Sequence, residues 1–295
     1  MIRFLSIAAC LLFAGPAFAQ TPTCPDGPPR WTEAEGSRCK LWNWCPNGQE
    51  TVTWSGACVG GFAEGPGLNQ WFHAGEPVER YEGTMLAGKT HGRGTNTSSS
   101  GERYDGEWRD GQWHGHGVFT YADGSRHEGE WRDSEANCRG VMISANGNRH
   151  DGEWRNGKAH GRGIMTWSNG HRYEGEWRDD KHSGRGIHTW SNGDRYEGEW
   201  RDGAPNGRGT YSYSDGIWYE GDVRDGQLSG HGVMFFTDGS WYKGEWRDGR
   251  PNGYGTANIN DRVHTGTWRD GCHRRGDRKA WLTSSEAACN SSGWP

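Results

Sequence analysis

Beyond its first 19 residues this 295-residue chain has no long apolar run, and aliphatic residues are scarce throughout. The hydrophobic fraction is 31% and the mean hydropathy is −1.03. These values exclude a multi-span membrane protein. They also argue against a two-layer enzyme fold, which needs a thick Val/Leu/Ile core. A basic surplus is missing as well. Lys and Arg total 33 against 38 Asp and Glu, a formal charge of −5, which argues against a general nucleic-acid binder. The body of the chain lacks helix caps and i, i+3, i+4 periodicity. It has no C-x-x-C pair, H-E-x-x-H, phosphate loop, paired-carboxylate motif or Ser/His/Asp set. No catalytic residue, cofactor or metal is therefore expected.

What is present is glycine and aromatic surface. There are 50 Gly, about 17% of the chain against roughly 7% in average usage, and 19 Trp. Glycine does not recur every third residue, so the chain is not collagen-like. An aromatic fraction of 13% argues against disorder. The remaining reading is an ordered β protein whose apolar surface is mostly tryptophan and tyrosine.

Residues 1–19 read as a secretory signal peptide, with Arg3 as the positive n-region, an apolar run from Phe4 to Phe13 and Ala17-Phe18-Ala19 as the cleavage site. Cleavage deletes Arg3 and moves the charge from −5 to −6. Ile7-Ala8-Ala9-Cys10 also resembles a lipobox, so a surface lipoprotein stays open beside a secreted or periplasmic protein. Seven cysteines follow the leader: Cys24, Cys39, Cys45, Cys58, Cys138, Cys272 and Cys289. In an exported chain they read as disulfides. Cys272 with Cys289 is expected to staple the C-terminus. Cys39 and Cys58 flank an expected hairpin turning at Cys45-Pro46-Asn47-Gly48. The pairing among Cys24, Cys39, Cys45 and Cys58 is left open by the sequence. The odd count leaves one thiol over, with isolated Cys138 as the candidate.

A repeat dominates the chain. Segments open at Tyr81, Tyr104, His127, His150, Tyr173, Tyr196, Tyr219 and Tyr242, each 23 residues after the last. A degenerate copy opens at His264, after 22 residues, and an earlier one at Trp54. Counting the opening residue as position 1, Gly recurs at positions 3, 8, 12, 14 and 21. It fills 36 of 40 slots, the exceptions being Ser134, Cys138, Asp180 and Arg262. In the best-formed copy Tyr173, Gly175 and Trp177 alternate with Glu174, Glu176 and Arg178, the period of a strand with one aromatic and one charged face. Gly184 to Trp190 reads as a second strand, and Asn192-Gly193 as a hairpin turn. Glycine beside Tyr and Trp leaves hollows for neighbouring rings, so aromatic-on-glycine packing is expected to replace a conventional core.

Charges fall in columns. Position 6 carries Arg from Arg109 to Arg247, position 23 carries Arg from Arg103 to Arg195, and positions 2 and 4 are mainly acidic. Position 13 carries Arg93, His116, Arg139, Arg162, Arg185, Arg208 and His231, each between two positions that favour glycine. This column is the candidate basic stripe for phosphate or carboxylate groups. The alternative is cross-strand salt-bridge ladders on a solvated face, favoured for position 6. His91, His114 and His160 share position 11, about 10 Å or more apart, too far to share one ion.

Tyr-Glu-Gly-Glu-Trp-Arg-Asp-Gly, then His-Gly-Arg-Gly and a later Asn-Gly or Asp-Gly, resembles the membrane occupation and recognition nexus (MORN) repeat. The resemblance covers residues 81–263 well, with weaker copies on both flanks. Cys138 at a glycine position, Met85 and Val223 where Trp is expected, and Lys243 for Glu depart from it. It implies an elongated single-layer antiparallel meander of 23-residue β-hairpin repeats, and scaffolding, protein binding or anionic-lipid contact rather than one fixed function.

The resulting expectation is an all-β, non-enzymatic exported repeat protein with disulfide-stapled caps. Residues 1–19 are the leader, 20–53 a Cys/Trp-rich N-terminal cap, 54–80 a degenerate repeat, 81–263 eight full repeats, and 264–295 a degenerate repeat with a cap. Thr283-Ser284-Ser285-Glu286 matches a helix capping box, so a short helix is expected to run to Cys289. The expected partner is a protein. Direct binding of anionic membrane lipid or envelope glycan is the alternative, through the basic stripe or through exposed Trp. Open sheet edges at both ends leave room for an end-to-end homodimer.

Overall fold

The alternating blocks become strands. In a computed structural model of the chain, residues 28–46, 48–275, 278–282 and 289 are described, and every element from residue 28 to 282 is a β-strand. The leader, Cys24 and residues 283–288 of the expected C-terminal helix lie outside the described residues, while Cys289, where that helix is expected to end, is helical. The chain divides into two compact units: residues 1–145 with 154–157, and residues 146–153 with 158–295.

The first unit contains β1 (Arg30–Glu33), β2 (Lys40–Asn43), β3 (Glu50–Trp54), β4 (Ala57–Val59), β5 (Phe62–His73), β6 (Glu76–Leu86), β7 (Lys89–Ser98), β8 (Arg103–Arg109), β9 (Gln112–Thr120), β10 (Arg126–Arg132) and β11 (Glu135–Ile143). From β5 to β11 each strand pairs antiparallel with the next. Before them, β3 and β4 both pair with the long β5, and Trp54 packs on Gly56 and Gly67 much as Tyr packs in the later repeats. β1 pairs with β2, which meets β5 in parallel at Lys40 and Phe62.

The segment flanked by Cys39 and Cys58 is therefore not the hairpin expected from its turn motif. β2 turns away to β1, and β3 joins β5 because Val52 and Trp54 continue the repeat's buried face. Cys39 and Cys58 are nonetheless bonded to each other, with Cα atoms 5.6 Å apart.

β12 (Arg149–Arg155) follows. The second unit holds β13 (Lys158–Thr166), β14 (Arg172–Arg178), β15 (Lys181–Thr189), β16 (Arg195–Arg201), β17 (Ala204–Ser212), β18 (Trp218–Arg224), β19 (Gln227–Phe235), β20 (Trp241–Arg247), β21 (Arg250–Ile259), β22 (Arg262–Arg269), β23 (Cys272–Arg275) and β24 (Arg278–Trp281). From β13 to β24 this unit is an unbroken antiparallel meander. The Cys272–Cys289 bond stands as expected. Cys45 and Cys138 are also disulfide-bonded, which corrects the reading of Cys138 as a leftover thiol. Cys138 holds φ 57° at a position where the other regular repeats use glycine.

Two turns build each repeat. Positions 7 and 8 form a two-residue turn with positive φ at both, as at Asp202 (52°) and Gly203 (90°), which matches the strand twist. Ser134 and Asp180 replace this glycine and adopt the same region, at 63° and 66°. The second turn is wider. Gly193 N–H donates to Trp190 C=O at 3.0 Å, and the Asn192 carboxamide accepts from Asp194 N–H at 3.1 Å. The eighth repeat replaces this wide turn with a tight one at Asn260 and Asp261, both at positive φ. That accounts for Arg262 in place of glycine and for a ninth segment opening after only 22 residues.

Each unit has its own core, and in both it is the aromatic face. Tyr173, Tyr196, Tyr219 and Tyr242 are fully buried, with Trp177, Trp200, Trp246 and Trp268 beside them in the second unit. Tyr81, Tyr104, Trp54, Trp108 and Trp131 form the counterpart in the first. Each large ring buries about 150–250 Å², so at about 25 cal/mol per Å² it contributes at most roughly 4–6 kcal/mol.

Candidate functional site

The aromatic face is closed by its own hydrogen bonds. Indole N–H groups at position 5 donate to the position-14 glycine carbonyl of the preceding repeat: Trp108 to Gly94, Trp131 to Gly117, Trp177 to Gly163, Trp200 to Gly186, Trp246 to Gly232. Position-1 phenols donate to the carbonyl of position 4 in their own repeat, as Tyr196 does to Glu199 at 3.0 Å and Tyr219 to Asp222 at 2.8 Å. Those carbonyls lie at a β-bulge, where the register slips after the position-3 glycine, as between Gly175 and Glu176. The phenol supplies the partner that the bulge withdraws from the ladder. Burial pushes the Tyr196 phenol up to about 12. Tyr196→Phe keeps the ring and orphans the carbonyl. It should cost about 1–2 kcal/mol in urea unfolding, and an unchanged midpoint would mean that water replaces the phenol.

The opposite face carries the charge, and all seven predicted stripe residues lie on it with exposed side chains: Arg93, His116 and Arg139 in the first unit, Arg162, Arg185, Arg208 and His231 in the second. Their neighbours are acids. Cross-strand registers set position 13 opposite position 4 of the next repeat: Arg93 opposite Glu107, His116 opposite Glu130, Arg162 opposite Glu176, Arg185 opposite Glu199, Arg208 opposite Asp222, His231 opposite Glu245. The Arg208 Nε lies 3.6 Å from the Asp222 carboxylate.

The position-4 acid has a second task that the sequence did not reveal. Its carboxylate accepts the backbone N–H of position 13 in its own repeat: Glu176 from Arg185 at 2.9 Å, Asp222 from His231 at 2.8 Å, Glu245 from Tyr254 at 2.9 Å. It can come that close because the position-12 residue, Gly184 in the first case, has positive φ (55°) and no side chain; an added Cβ there would meet the Glu176 carboxylate. The only hint in the sequence is that every position-13 residue has an acid nine residues before it, Arg93 excepted.

Position 23 bonds along its own strand. Arg80 pairs with Glu82, Arg103 with Asp105, Arg126 with Glu128, Arg149 with Asp151, Arg172 with Glu174 and Arg195 with Glu197. These exposed i, i+2 pairs are the ladder found, rather than the cross-strand one expected at position 6. Position 6 is largely exposed, and Arg201 there donates to the Asn206 carboxamide at 2.6 Å. The polar face is thus a lattice in which each basic column adjoins an acidic one. Among the described residues no group of three or more His, Cys, Asp or Glu is arranged to hold a metal ion.

Fold and faces together define a tandem β-hairpin repeat protein with one self-packed aromatic face and one exposed charged face. The MORN repeat matches it eight times in succession, at residues 81–103, 104–126, 127–149, 150–172, 173–195, 196–217, 219–241 and 242–257, more than half of the chain, and the protein belongs to that family. MORN repeats are generally protein- or lipid-binding modules, a binding family and not an enzymatic one. No curated protein matches the chain. Solved structures resemble it only weakly. One is the TCP domain of SAS-4 (dCPAP) in complex with a proline-rich motif of Ana2 (dSTIL) of Drosophila melanogaster. It is 13% identical, with 52% of this chain and 85% of that chain covered and a TM-score of 0.34. A streptogramin B lyase is 16% identical, with coverage of 58% and 53% and a TM-score of 0.15. A catalytically inactive virginiamycin B lyase from Staphylococcus aureus with quinupristin is 17% identical, with coverage of 64% and 60% and a TM-score of 0.15.

Proposed function

We propose that the protein is an exported, non-enzymatic binding protein whose charged face docks or scaffolds a partner protein. The observation that carries this reading is the interleaving of signs: position-13 bases stand opposite position-4 acids in six registers. An anionic bilayer would meet the acid column together with the basic one, which weakens attraction that grows with each uncompensated Lys or Arg. A protein surface can match alternating signs with its own, and such matching gives specificity and register. Glycan stacking on the periodic Trp and Tyr finds few rings to use, because those of positions 1 and 5 are largely buried.

Export is supported by the leader-like first 19 residues and by the bonded cysteines, since disulfides persist in oxidising compartments. The periplasm or cell surface is the compartment this reading favours.

The test reverses the stripe. Arg162→Glu, Arg185→Glu and Arg208→Glu together leave every position-13 backbone N–H in place. The expected result is loss of the discrete complex that the wild type forms in crosslinking from envelope extract, with unfolding still cooperative and lowered only by the like-charge pairs now facing Glu176, Glu199 and Asp222, about 0.2–1 kcal/mol each. Wild-type and variant protein should both stay in the supernatant with phosphatidylglycerol vesicles at ~0.15 M salt, where the Debye length is about 8 Å. Salt-sensitive sedimentation of the wild type with the vesicles, abolished in the variant, would replace the protein partner with lipid.

A further inference from the structure

The first unit carries a cavity of about 310 Å³ away from the charged face. The N-terminal cap makes it: β2, Trp44 and Cys45 just after it, and Glu50 of β3 approach the aromatic side of β5 to β9. Its walls include Trp42, Trp44, Trp71, Trp108 and Trp113. Trp42 and Trp44 come from the cap and meet edge to face, 5.9 Å between ring centroids. The volume lies at the small end of the range typical for ligand pockets, about 300–1,000 Å³.

The polar groups lining this cavity are mostly acceptors. Asn69 is only 3% exposed, and its carboxamide oxygen has no hydrogen-bond partner. The Asn96 carboxamide donates to Glu79 at 2.7 Å, which fixes its oxygen as an acceptor, and that oxygen is unpartnered too. The Thr90 hydroxyl is a third unpartnered group. Two carboxylates join them: Glu79, and Glu50, which accepts from the Asn43 carboxamide at 2.6 Å. Glu79 opens to solvent yet is densely surrounded on its protein side, and no cation pairs with it among the described residues. That crowding raises its carboxyl; the Asn96 hydrogen bond opposes the rise and Glu50 adds to it. One unpartnered donor, the Trp42 indole N–H, faces this set. The Lys89 ammonium already lies over the Trp42 ring, 5.1 Å from its centroid, so a wall of the cavity accommodates a cation.

Surplus acceptors, the Glu79 carboxylate without a cation of its own and the indole walls call for a positively charged donor. We propose that this cavity is a binding site for a small organic cation, an ammonium or guanidinium group on a short apolar stem. The charged head sits among Glu79, Glu50 and the Asn69 and Asn96 oxygens, and the stem lies against the indoles. The site is independent of the charged-face docking proposed above.

Isothermal titration calorimetry of the mature, disulfide-intact chain tests it, with n-butylammonium and agmatine as probes and n-butanol and methyl glucoside as neutral controls. Saturable binding of the cations with none of the controls is expected. Glu79→Gln removes the charge at constant shape and should weaken binding about tenfold or more. Trp44→Ala should weaken it several-fold through the lost ring face, by roughly 3-fold or more, with cooperative unfolding retained, because Trp44 is 46% exposed and its loss costs little more than the edge-to-face contact with Trp42. A blocked arginine peptide, compared with agmatine, separates a partner's side chain from a free amine as the source of the same chemistry. The triple position-13 variant should bind the cations as the wild type does. Binding of methyl glucoside with the cations inert, or equal binding by Glu79→Gln and wild type, overturns the assignment.

Discussion

Gly175→Ala should destabilise the second unit by about 3 kcal/mol in urea unfolding, the upper part of the range for overpacking. A single methyl group at this site has nowhere to go. Its Cβ would stand 2.5 Å from the Gly186 Cα, 2.6 Å from the Tyr173 hydroxyl and 2.7 Å from the Arg185 carbonyl. Two of those three atoms are backbone of the neighbouring strand, and the third is anchored, since the Tyr173 hydroxyl donates to Glu176 C=O at 3.0 Å. Relief therefore requires β14 and β15 to part or Tyr173 to leave the core. Gly203→Asp is the matching control. Gly203 has φ +90° and nothing within 4 Å of an added Cβ, and Asp180 already serves at the equivalent turn position. Its cost should stay at or below about 1 kcal/mol, the local penalty of a left-handed residue. Equal losses in the two variants would show that the sheet yields to the added methyl group, and that close ring packing is not what position 3 requires.

Acid should unfold the second unit well before its carboxylates are fully protonated. Burial lowers His150, His182 and His188 from the ordinary value near 6.5 to about 4 each. His182 lies flat on Tyr173, with ring centroids 3.7 Å apart, and His188 stacks on Trp190 at 4.5 Å. A histidine whose folded value lies below its unfolded value binds fewer protons when folded in the window between them. Stability is therefore complete above about pH 6.5 and is lost as pH falls toward 4. At 1.36 kcal/mol per pH unit a shift of this size is worth at most about 3 kcal/mol, and the three losses do not add, because His188 and His150 themselves help to lower His182. The three act on one aromatic stack, so thermal unfolding at pH 7, 5.5 and 4.5 should show a steep fall. His182→Phe should keep the stack on Tyr173 and flatten the profile. A midpoint constant across this range, or a variant as acid-sensitive as the wild type, would remove the histidines as the cause.

The repeat was legible because its constraints are local. A 23-residue period, the alternation of Tyr173, Gly175 and Trp177 with charged residues, and Asn-Gly turns state strand, face and turn within one copy. Position 1 also held a clue of finer grain: it is Tyr in six of the eight repeats and never Phe, which matches the phenol's hydrogen bond to the bulge carbonyl. The candidate site was less legible. The column of bases at position 13 could be read from the sequence, but its neutralising partners come from a different repeat, about fourteen residues on, and only strand register names them. The mistaken hairpin at Cys45-Pro46-Asn47-Gly48 has the same origin. A turn motif fixes that the chain reverses, not which strand it then pairs with.

Taken alone, the sequence determined the family, the antiparallel hairpin unit, the aromatic face and its dependence on glycine, because each follows from side-chain volume and period within a few residues. Only the tertiary structure decided which charges compensate each other, that the position-4 acid holds the backbone of position 13, and that the cap encloses an acceptor-rich cavity. Those depend on contacts between residues far apart in the chain, where a shift of one residue in register would exchange every partner.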